Sequence, residues 1–227
     1  MSRRGVLFIA WESADAGQTA LLARAVASLA DLHPELPYHV AQLPGLTPHV
    51  EKARLGALTP FETTAFLDID SVVLGRLDFG FEMAERYGLA CCHGENPWRR
   101  RYVGVTGDAV EYDTGVLFFS GAQARPVLEL WSSLAPVLDT AIAYAEGRAA
   151  KRAPPDDRLT FGHAVEKCAV SPFILPPNWS LRPPWVRTFF GPPKIWHGSG
   201  ALPDHLLYLR GYYDRPDAIV MLHEVPS

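Results

Sequence analysis

Residues 63–75 read TTAFLDIDSVVLG and place two aspartates, Asp68 and Asp70, at the end of an apolar run. An apolar run without alternation predicts a strand buried on both faces, as in a parallel sheet between helices. Residues two positions apart in a strand point to the same side, so the two carboxylates should lie close together. They would repel unless one were protonated or a cation lay between them. One interpretation is a Mn²⁺ or Mg²⁺ site completed by phosphate oxygens, and the other is a turn cap beside an arginine-paired carboxylate.

Strand and helix patterns alternate along the rest of the chain. The strand pattern VLFIA is followed by helical spacing over residues 16–32 and by a second strand pattern, PYHVAQL. Later segments predict the strands YGLACCH and TGVLFFS, a long helix over about residues 122–147 and a helix at DDRLTFGHAVEKC. After Ser171 the chain is rich in proline and aromatic residues, which is typical of loops and short strands. The expected fold class is α/β, a mixed sheet flanked by helices.

The composition favours one globular domain and argues against nucleic-acid binding. The chain has 227 residues, 48% of them hydrophobic, and a formal net charge of −4, whereas nucleic-acid binders normally carry a basic surplus. No apolar stretch approaches the roughly 18 residues of a transmembrane helix. The first apolar run follows basic residues but is interrupted by Glu12, so a buried strand is favoured over a secretory signal.

The cysteine pattern favours a reducing compartment. The chain has three cysteines, Cys91, Cys92 and Cys168, and an odd number with two adjacent does not form a disulfide framework. There is no Cys-x-x-Cys pair, which argues against a zinc ribbon. We therefore expect a cytoplasmic protein.

Three further polar motifs could carry chemistry, and each has a structural alternative. His197, in KIWHGSG, is either a ligand for a Mn²⁺-type ion or a packed histidine. Asp113 precedes Thr114-Gly115 and is either a site residue or a turn residue. Asp156 and Asp157 stand at a predicted helix start, where one of them could simply be an N-cap.

The order and spacing of these motifs resemble those of family 8 glycosyltransferases, the glycogenin-like and galactosyltransferase-like retaining enzymes with the GT-A fold. FLDIDSVVLGRLD matches the Asp-x-Asp strand of that family, and Lys52 lies sixteen residues before Asp68, where the family has a donor-contacting Lys or Arg. DTGVLFF resembles the family's N-[ST]-G-[VM] strand, PPDDRLTF its DQ-x-x-x-N helix start, LPPNWSL its LP-x-x-[WY]-N segment and HGSG its H-F-x-G metal histidine. The order is kept from about residue 5 to residue 200.

The resemblance implies a single GT-A-like domain over residues 1–227 with a Rossmann-like, mostly parallel mixed sheet. Residues 1–120 would form the half that binds the nucleotide sugar, and residues 121–227 the acceptor side and C-terminal loops. The activity implied is metal-dependent transfer of a sugar, with retention, from a nucleotide-diphosphate sugar to an acceptor that the sequence does not identify. A UDP-sugar is the donor that the family favours.

The resemblance also implies roles for individual residues. Asp68, Asp70 and His197 would hold Mn²⁺ or Mg²⁺. The donor would be bound by Trp11, Lys52, Asp68, Ile69, Thr114, Gly115 and Gly200. Asp113, Asp156 and Asp157 are the catalytic candidates. Since adjacent residues entering a helix point in different directions, we expect one of the last two to cap the helix and Asp156, which matches the family's aspartate, to face the cleft.

The chain departs from the family pattern at four places. Asp113 and Ser180 each replace an asparagine, and Asp157 replaces a glutamine. The family's Lys-Pro-Trp after the metal histidine has no counterpart in ALPDHLL.

Two other functions are compatible with the sequence. A phosphatase of the haloacid dehalogenase type also has a strand that ends in Asp-x-Asp, with the first aspartate as nucleophile. About sixty residues precede the motif here, however, whereas it normally opens that domain. A sugar-nucleotide-binding module without turnover would agree with the missing Lys-Pro-Trp and with Asp113.

Overall fold

The structure is a computed structural model, which describes residues 3–13, 15–94, 110–140, 143–146, 149–152, 155–182, 192–204 and 206. The strands are β1 (Arg4–Trp11), β2 (Tyr38–Leu43), β3 (Thr63–Leu67), β4 (Ser71–Val73), β5 (Leu89–His93), β6 (Tyr112–Ser120), β7 (Ala143–Glu146), β8 (Ala149–Arg152), β9 (Phe173–Ile174) and β10 (Ile195–His197). The helices are α1 (Ala16–Leu32), α2 (Pro48–Lys52), α3 (Leu55–Leu58), α4 (Asp78–Tyr87), α5 (Gly121–Leu134) and α6 (Asp157–Lys167).

Six strands form the main sheet in the order β2-β1-β3-β6-β5-β9. β1 pairs in parallel with β2 and β3, and β5 pairs in parallel with β9. β6 is antiparallel to both of its neighbours, β3 and β5, so it alone runs against the other five strands. This confirms the predicted α/β fold with a mixed, mostly parallel sheet, and it confirms that β3 is a central strand.

Both faces of the sheet are buried, as the unbroken apolar runs predict. Along β1, Leu7 and Ile9 join a core with residues of α5 and α6, whereas Val6 and Phe8 join a second core with residues of α1 and α4. β3 contributes to both cores in the same alternating way, and all five of its residues are buried. Only the two ends of this strand can therefore present polar groups to a ligand.

The long helix predicted over residues 122–147 is wrong in its second half. α5 ends at Leu134, and residues 143–146 belong to β7. Pro136 has no backbone N–H to continue the helical ladder. The chain leaves the helix in a turn in which the N–H of Leu138 donates to the carbonyl oxygen of Leu134 at 2.9 Å.

The predicted strand TTAFLDID also ends earlier than expected. β3 stops at Leu67, and Asp68 to Asp70 form a turn in which the N–H of Ser71 donates to the carbonyl oxygen of Asp68 at 3.0 Å. The chain then enters β4, which pairs with β10 as a separate antiparallel ribbon. The two aspartates thus lie in a tight turn at the carboxyl end of β3, the expected end of the strand.

No helix within the described ranges is both long enough and apolar enough to cross a bilayer. Cys91, Cys92 and Cys168 are free thiols.

Candidate functional site

Asp68, Asp70 and His197 come together at the carboxyl end of β3. One ligand atom from each lies within 4.8 Å of the others. His197 Nε2 is 3.1 Å from an oxygen of Asp70 and 3.5 Å from an oxygen of Asp68. The two carboxylates are partly exposed, whereas His197 is 1% exposed. Two carboxylates and one imidazole form a donor set suited to Mn²⁺-type ions.

The β4–β10 ribbon brings His197 to the aspartates. In this ribbon His197 lies opposite Ser71, the residue that follows Asp70. The N–H of Gly198 donates to the carbonyl oxygen of Asp70 at 3.0 Å, which fixes the two chain segments side by side. Backbone pairing, rather than side-chain contact alone, therefore sets the distance between the histidine and the aspartates.

The residues present fit a divalent cation. His197 Nε2 is buried and has no hydrogen-bond partner, although it faces carboxylate oxygens. A buried imidazole nitrogen with no partner is costly unless another group satisfies it. Burial lowers the pKa of His197, but the carboxylates of Asp113, Asp68 and Asp70 outweigh it and raise the pKa to about 10. The carboxylates around His197 therefore favour a positive charge in this site, supplied by a proton on the ring or by a bound cation.

Lys52, at the end of α2, joins the metal-site candidates to α6. Its ammonium lies 3.0 Å from Asp68 Oδ1 and 3.1 Å from Asp157 Oδ2. Burial lowers the pKa of Lys52, but the charges of Asp157 and Asp68 outweigh it and keep the amine protonated. Burial raises the pKa of Asp68, but Lys52 and His197 hold it well below its usual range. A positive charge therefore lies beside the carboxylates, where it could form an ion pair with a phosphate.

At the start of α6, the two aspartates have the opposite roles to those we expected. Asp156 is the N-cap: its carboxylate accepts from the backbone N–H of Arg158 at 2.9 Å and pairs with the Arg158 guanidinium at 2.6 Å. Asp157 points to the cleft instead and accepts from the hydroxyl of Thr114 at 2.9 Å, in addition to its contact with Lys52. The expectation that Asp156 faces the cleft is therefore wrong, because Arg158 holds its carboxylate at the cap.

Asp113 lies behind His197 rather than in the cleft. It is 3% exposed, and its carboxylate accepts from the N–H of Gly115 at 2.9 Å and from the hydroxyl of Ser180. Its Oδ2 is 3.8 Å from His197 Nδ1, on the side of the ring away from Asp68 and Asp70. The guanidinium of Arg182 lies 3.6 Å from the other carboxylate oxygen, Asp113 Oδ1. Burial raises the pKa of Asp113, but His197, Arg182 and Ser180 keep it ionised.

A cleft of about 400 Å³ opens beside the aspartates. Most of the residues expected to bind a donor line it, and Asp157 is the one catalytic candidate among its described lining residues. The described residues that line it are Ile9, Trp11, Gln18, Leu21, Pro48, His49, Lys52, Phe66, Asp68, Ile69, Asp70, Asp157 and Ser199. Its mixture of an aromatic ring, a lysine and carboxylates can accommodate a ligand with one flat apolar part and one anionic part.

Three of the expected donor-binding residues lie outside this lining. Thr114 is buried and contacts the cleft only through Asp157. Gly115 supports Asp68, whose N–H donates to the Gly115 carbonyl oxygen at 2.8 Å. The carbonyl oxygen of Gly200 accepts from the guanidinium of Arg24 at 2.7 Å, and Ser199 lines the cleft in its place.

The sequence interpretation missed Arg24. Its guanidinium donates to the carbonyl oxygens of Gly198 and Gly200, both at 2.7 Å, and so ties the segment after His197 to α1. Gln18 and His49 in the cleft lining were missed as well. No motif marks these residues, because their partners lie far away in the sequence.

Gly115 gives a first prediction. A Cβ at this position would overlap the His197 ring and lie 2.7 Å from Asp68 Oδ2. We expect Gly115→Ala to cost about 1–3 kcal/mol of stability through overpacking and to weaken Mn²⁺ binding at the same time. Thermal melting with and without Mn²⁺ measures both effects. Gly200→Ala is the control, since a Cβ there meets nothing within 4 Å, and equal effects of the two changes would contradict the prediction.

Comparison with solved structures identifies proteins of the same architecture. Mouse xyloside xylosyltransferase 1 superposes with a TM-score of 0.58 at 13% identity, over 87% of this chain and 98% of that one. The galactosyltransferase LgtC, solved with donor and acceptor sugar analogues, gives a TM-score of 0.59 at 14% identity, over 86% and 87% of the two chains. The glycosyltransferase GlyE of Streptococcus pneumoniae gives 0.51 at 12% identity, and the match spans about half of that chain, 54%.

The described chain thus has the GT-A fold of these glycosyltransferases, as the Asp-x-Asp strand and the order of motifs predict. No family model and no curated protein matches the sequence.

Proposed function

We propose that this protein is a metal-dependent glycosyltransferase that moves a sugar from a nucleotide-diphosphate sugar, favoured to be a UDP-sugar, to an acceptor, with retention of configuration. One observation carries the proposal: Asp68, Asp70 and the unpartnered Nε2 of His197 converge at the carboxyl end of β3, beside the cleft. Ligands of open α/β sheets bind outside the carboxyl ends of the strands. The GT-A fold shared with the three glycosyltransferases supports it.

Mn²⁺ or Mg²⁺ would be held by Asp68, Asp70 and His197. When bound, it would neutralise the charge that develops on the leaving diphosphate. The ammonium group of Lys52 supplies a second positive charge at the same end of the cleft. Trp11, Ile69 and Ser199 would contact the donor, with the ring of Trp11 available to the base.

Asp157 is the residue best placed to act on the donor sugar. Lys52 and Thr114 both contact Oδ2 of its carboxylate and so hold it at the cleft before a substrate binds. A positioned carboxylate can orient a sugar hydroxyl or face the reacting carbon, and such positioning is worth several kcal/mol in catalysis. The division into a donor half, 1–120, and an acceptor half, 121–227, stays part of this proposal, although His197 and Asp157 come from the second half.

The two alternative functions, a phosphatase and a sugar-nucleotide-binding module without turnover, predict different reactions. The GT-A fold argues against a haloacid-dehalogenase-type phosphatase. Asp156 and Asp157 would have to serve as the metal pair of such an enzyme, and Arg158 already engages Asp156. A sugar-nucleotide-binding module would bind a donor with Mn²⁺ and leave it intact.

Donor hydrolysis tests the proposal. The protein should hydrolyse one of a panel of nucleotide sugars slowly when Mn²⁺ is present, and not when the metal is chelated, because a transferase without its acceptor passes the sugar to water. His197→Ala should lower Mn²⁺ affinity measured by calorimetry by about 10-fold or more with the fold intact by circular dichroism. Binding without hydrolysis would favour the module, and release of phosphate from a monoester with Mg²⁺ would favour the phosphatase.

A further inference from the structure

Two of the residues at which this chain departs from the resembled family, Asp113 and Ser180, contact each other directly behind His197. The Ser180 hydroxyl donates to Asp113 Oδ2 in a close contact and lies 3.3 Å from His197 Nδ1. All three side chains are at least 95% buried. They form one line, Asp113–Ser180–His197, which ends at the Nε2 atom that faces Asp68 and Asp70.

The hydrogen bonds along this line have a fixed direction. A serine hydroxyl has one proton, and here that proton goes to Asp113 Oδ2, while Asp113 Oδ1 accepts from the N–H of Gly115. Toward His197 the same oxygen can therefore only accept, so Nδ1 must carry the N–H. A histidine binds a metal as the neutral ring, so with the proton on Nδ1 it is Nε2 that offers its lone pair to the cation.

We propose that Asp113 and Ser180 are positioning residues that set the tautomer and orientation of His197 for binding a divalent cation through Nε2. This inference rests on the proposed metal site and goes beyond it, because it removes Asp113 from the candidates that touch the donor. Histidine ligands commonly donate their second N–H to a carboxylate or carbonyl group that orients the ring. In this protein a serine hydroxyl relays the effect of the carboxylate, whose Oδ2 is itself 3.8 Å from Nδ1.

The relay predicts different consequences for its two residues. In Asp113→Asn, the amide oxygen would keep the bond from the Gly115 N–H, which leaves the NH₂ group toward Ser180. The Ser180 hydroxyl would then accept from that NH₂ and could donate to Nδ1, which favours the proton on Nε2. Ser180→Ala only removes the relay. Asp113→Asn should therefore be the more harmful change for metal binding.

Calorimetric titration with Mn²⁺ alone tests the inference. We expect Asp113→Asn to weaken Mn²⁺ binding by about 10–100-fold and Ser180→Ala to weaken it less. In a His197→Ala background, Asp113→Asn should weaken Mn²⁺ binding by less than about 3-fold further, since the relay acts only through the imidazole. Asp78→Asn is the control, because Asp78 pairs with Arg76 and is not among the residues of the site; it should leave Mn²⁺ binding unchanged.

Each other outcome counts against a specific statement. Absence of Mn²⁺ binding by the unchanged protein would refute the metal site itself. If the unchanged protein binds Mn²⁺ and both Asp113→Asn and Ser180→Ala bind it with the same affinity, the relay is refuted and the metal site is not. A full loss from Asp113→Asn that persists in the His197→Ala background would show that Asp113 acts by its charge and not through the ring. If Asp113→Asn fails to fold, as judged by thermal melting, the Ser180→Ala result decides, since that change removes a single hydroxyl.

Discussion

Replacing Asp157 by asparagine is expected to lower the metal-dependent turnover of the nucleotide sugar by about 10²-fold or more. The substitution keeps the shape of the side chain and its bond from Thr114, but it removes the charge that faces Lys52 and the cleft. A group that orients the reacting sugar affects the transition state more than the fold, and small losses of geometry cost factors of this size. The measurement is kcat for donor hydrolysis together with the melting temperature, which should change by only a few degrees.

Asp156→Asn is the matched comparison, since it makes the same chemical change one residue earlier. Asparagine caps helices nearly as well as aspartate, but the buried partner of Arg158 would lose its charge. We expect a stability loss of about 1 kcal/mol or more and a kcat per folded molecule near that of the unchanged protein. If Asp156→Asn removed turnover and Asp157→Asn did not, the assignment drawn from the cleft would be wrong.

The sequence determines much of the fold because local patterns carry it. The unbroken apolar runs of β1 and β3, the helical spacing of α1 and the start of α6 can each be predicted from residues a few positions apart. The error at residues 122–147 has the same origin, because the apolar spacing continues past Leu134 although α5 ends there. Local pattern therefore finds elements well and their ends poorly.

The candidate site was predictable to the extent that it depends on strand ends. Asp68 and Asp70 follow a buried strand, so their place at the sheet edge follows from the sequence. The choice between Asp156 and Asp157 does not, because either can cap a helix; it depends on Arg158 beside one and Lys52 across the cleft from the other. Only the resemblance anticipated that His197 lies near the aspartates, and this proximity depends on the pairing of β4 with β10.

The Asp-x-Asp turn leads to the largest expected effect, a loss of about 10³-fold or more in metal-dependent turnover on Asp70→Asn. Asp70 is the aspartate that His197 Nε2 approaches most closely, at 3.1 Å, and Lys52 contacts Asp68 and not Asp70. Removing its charge should therefore weaken the cation site without disturbing the Lys52 ion pairs. A cation that neutralises a leaving group contributes several kcal/mol to catalysis, and each 1.36 kcal/mol is about tenfold in rate.

Thermal melting separates loss of the metal from loss of the fold in this variant. A ligand that binds only the folded protein stabilises it by about 2.7 kcal/mol at a concentration 100 times its dissociation constant. Mn²⁺ should therefore raise the melting temperature of the unchanged protein and of the Asp78→Asn control, but raise that of Asp70→Asn much less. The variant should also regain little turnover when Mn²⁺ is increased, because the charge of the donor set has changed. A normal Mn²⁺-induced rise together with normal turnover would exclude Asp70 as a ligand and would leave Asp68 and His197 without the third donor that the proposed site requires.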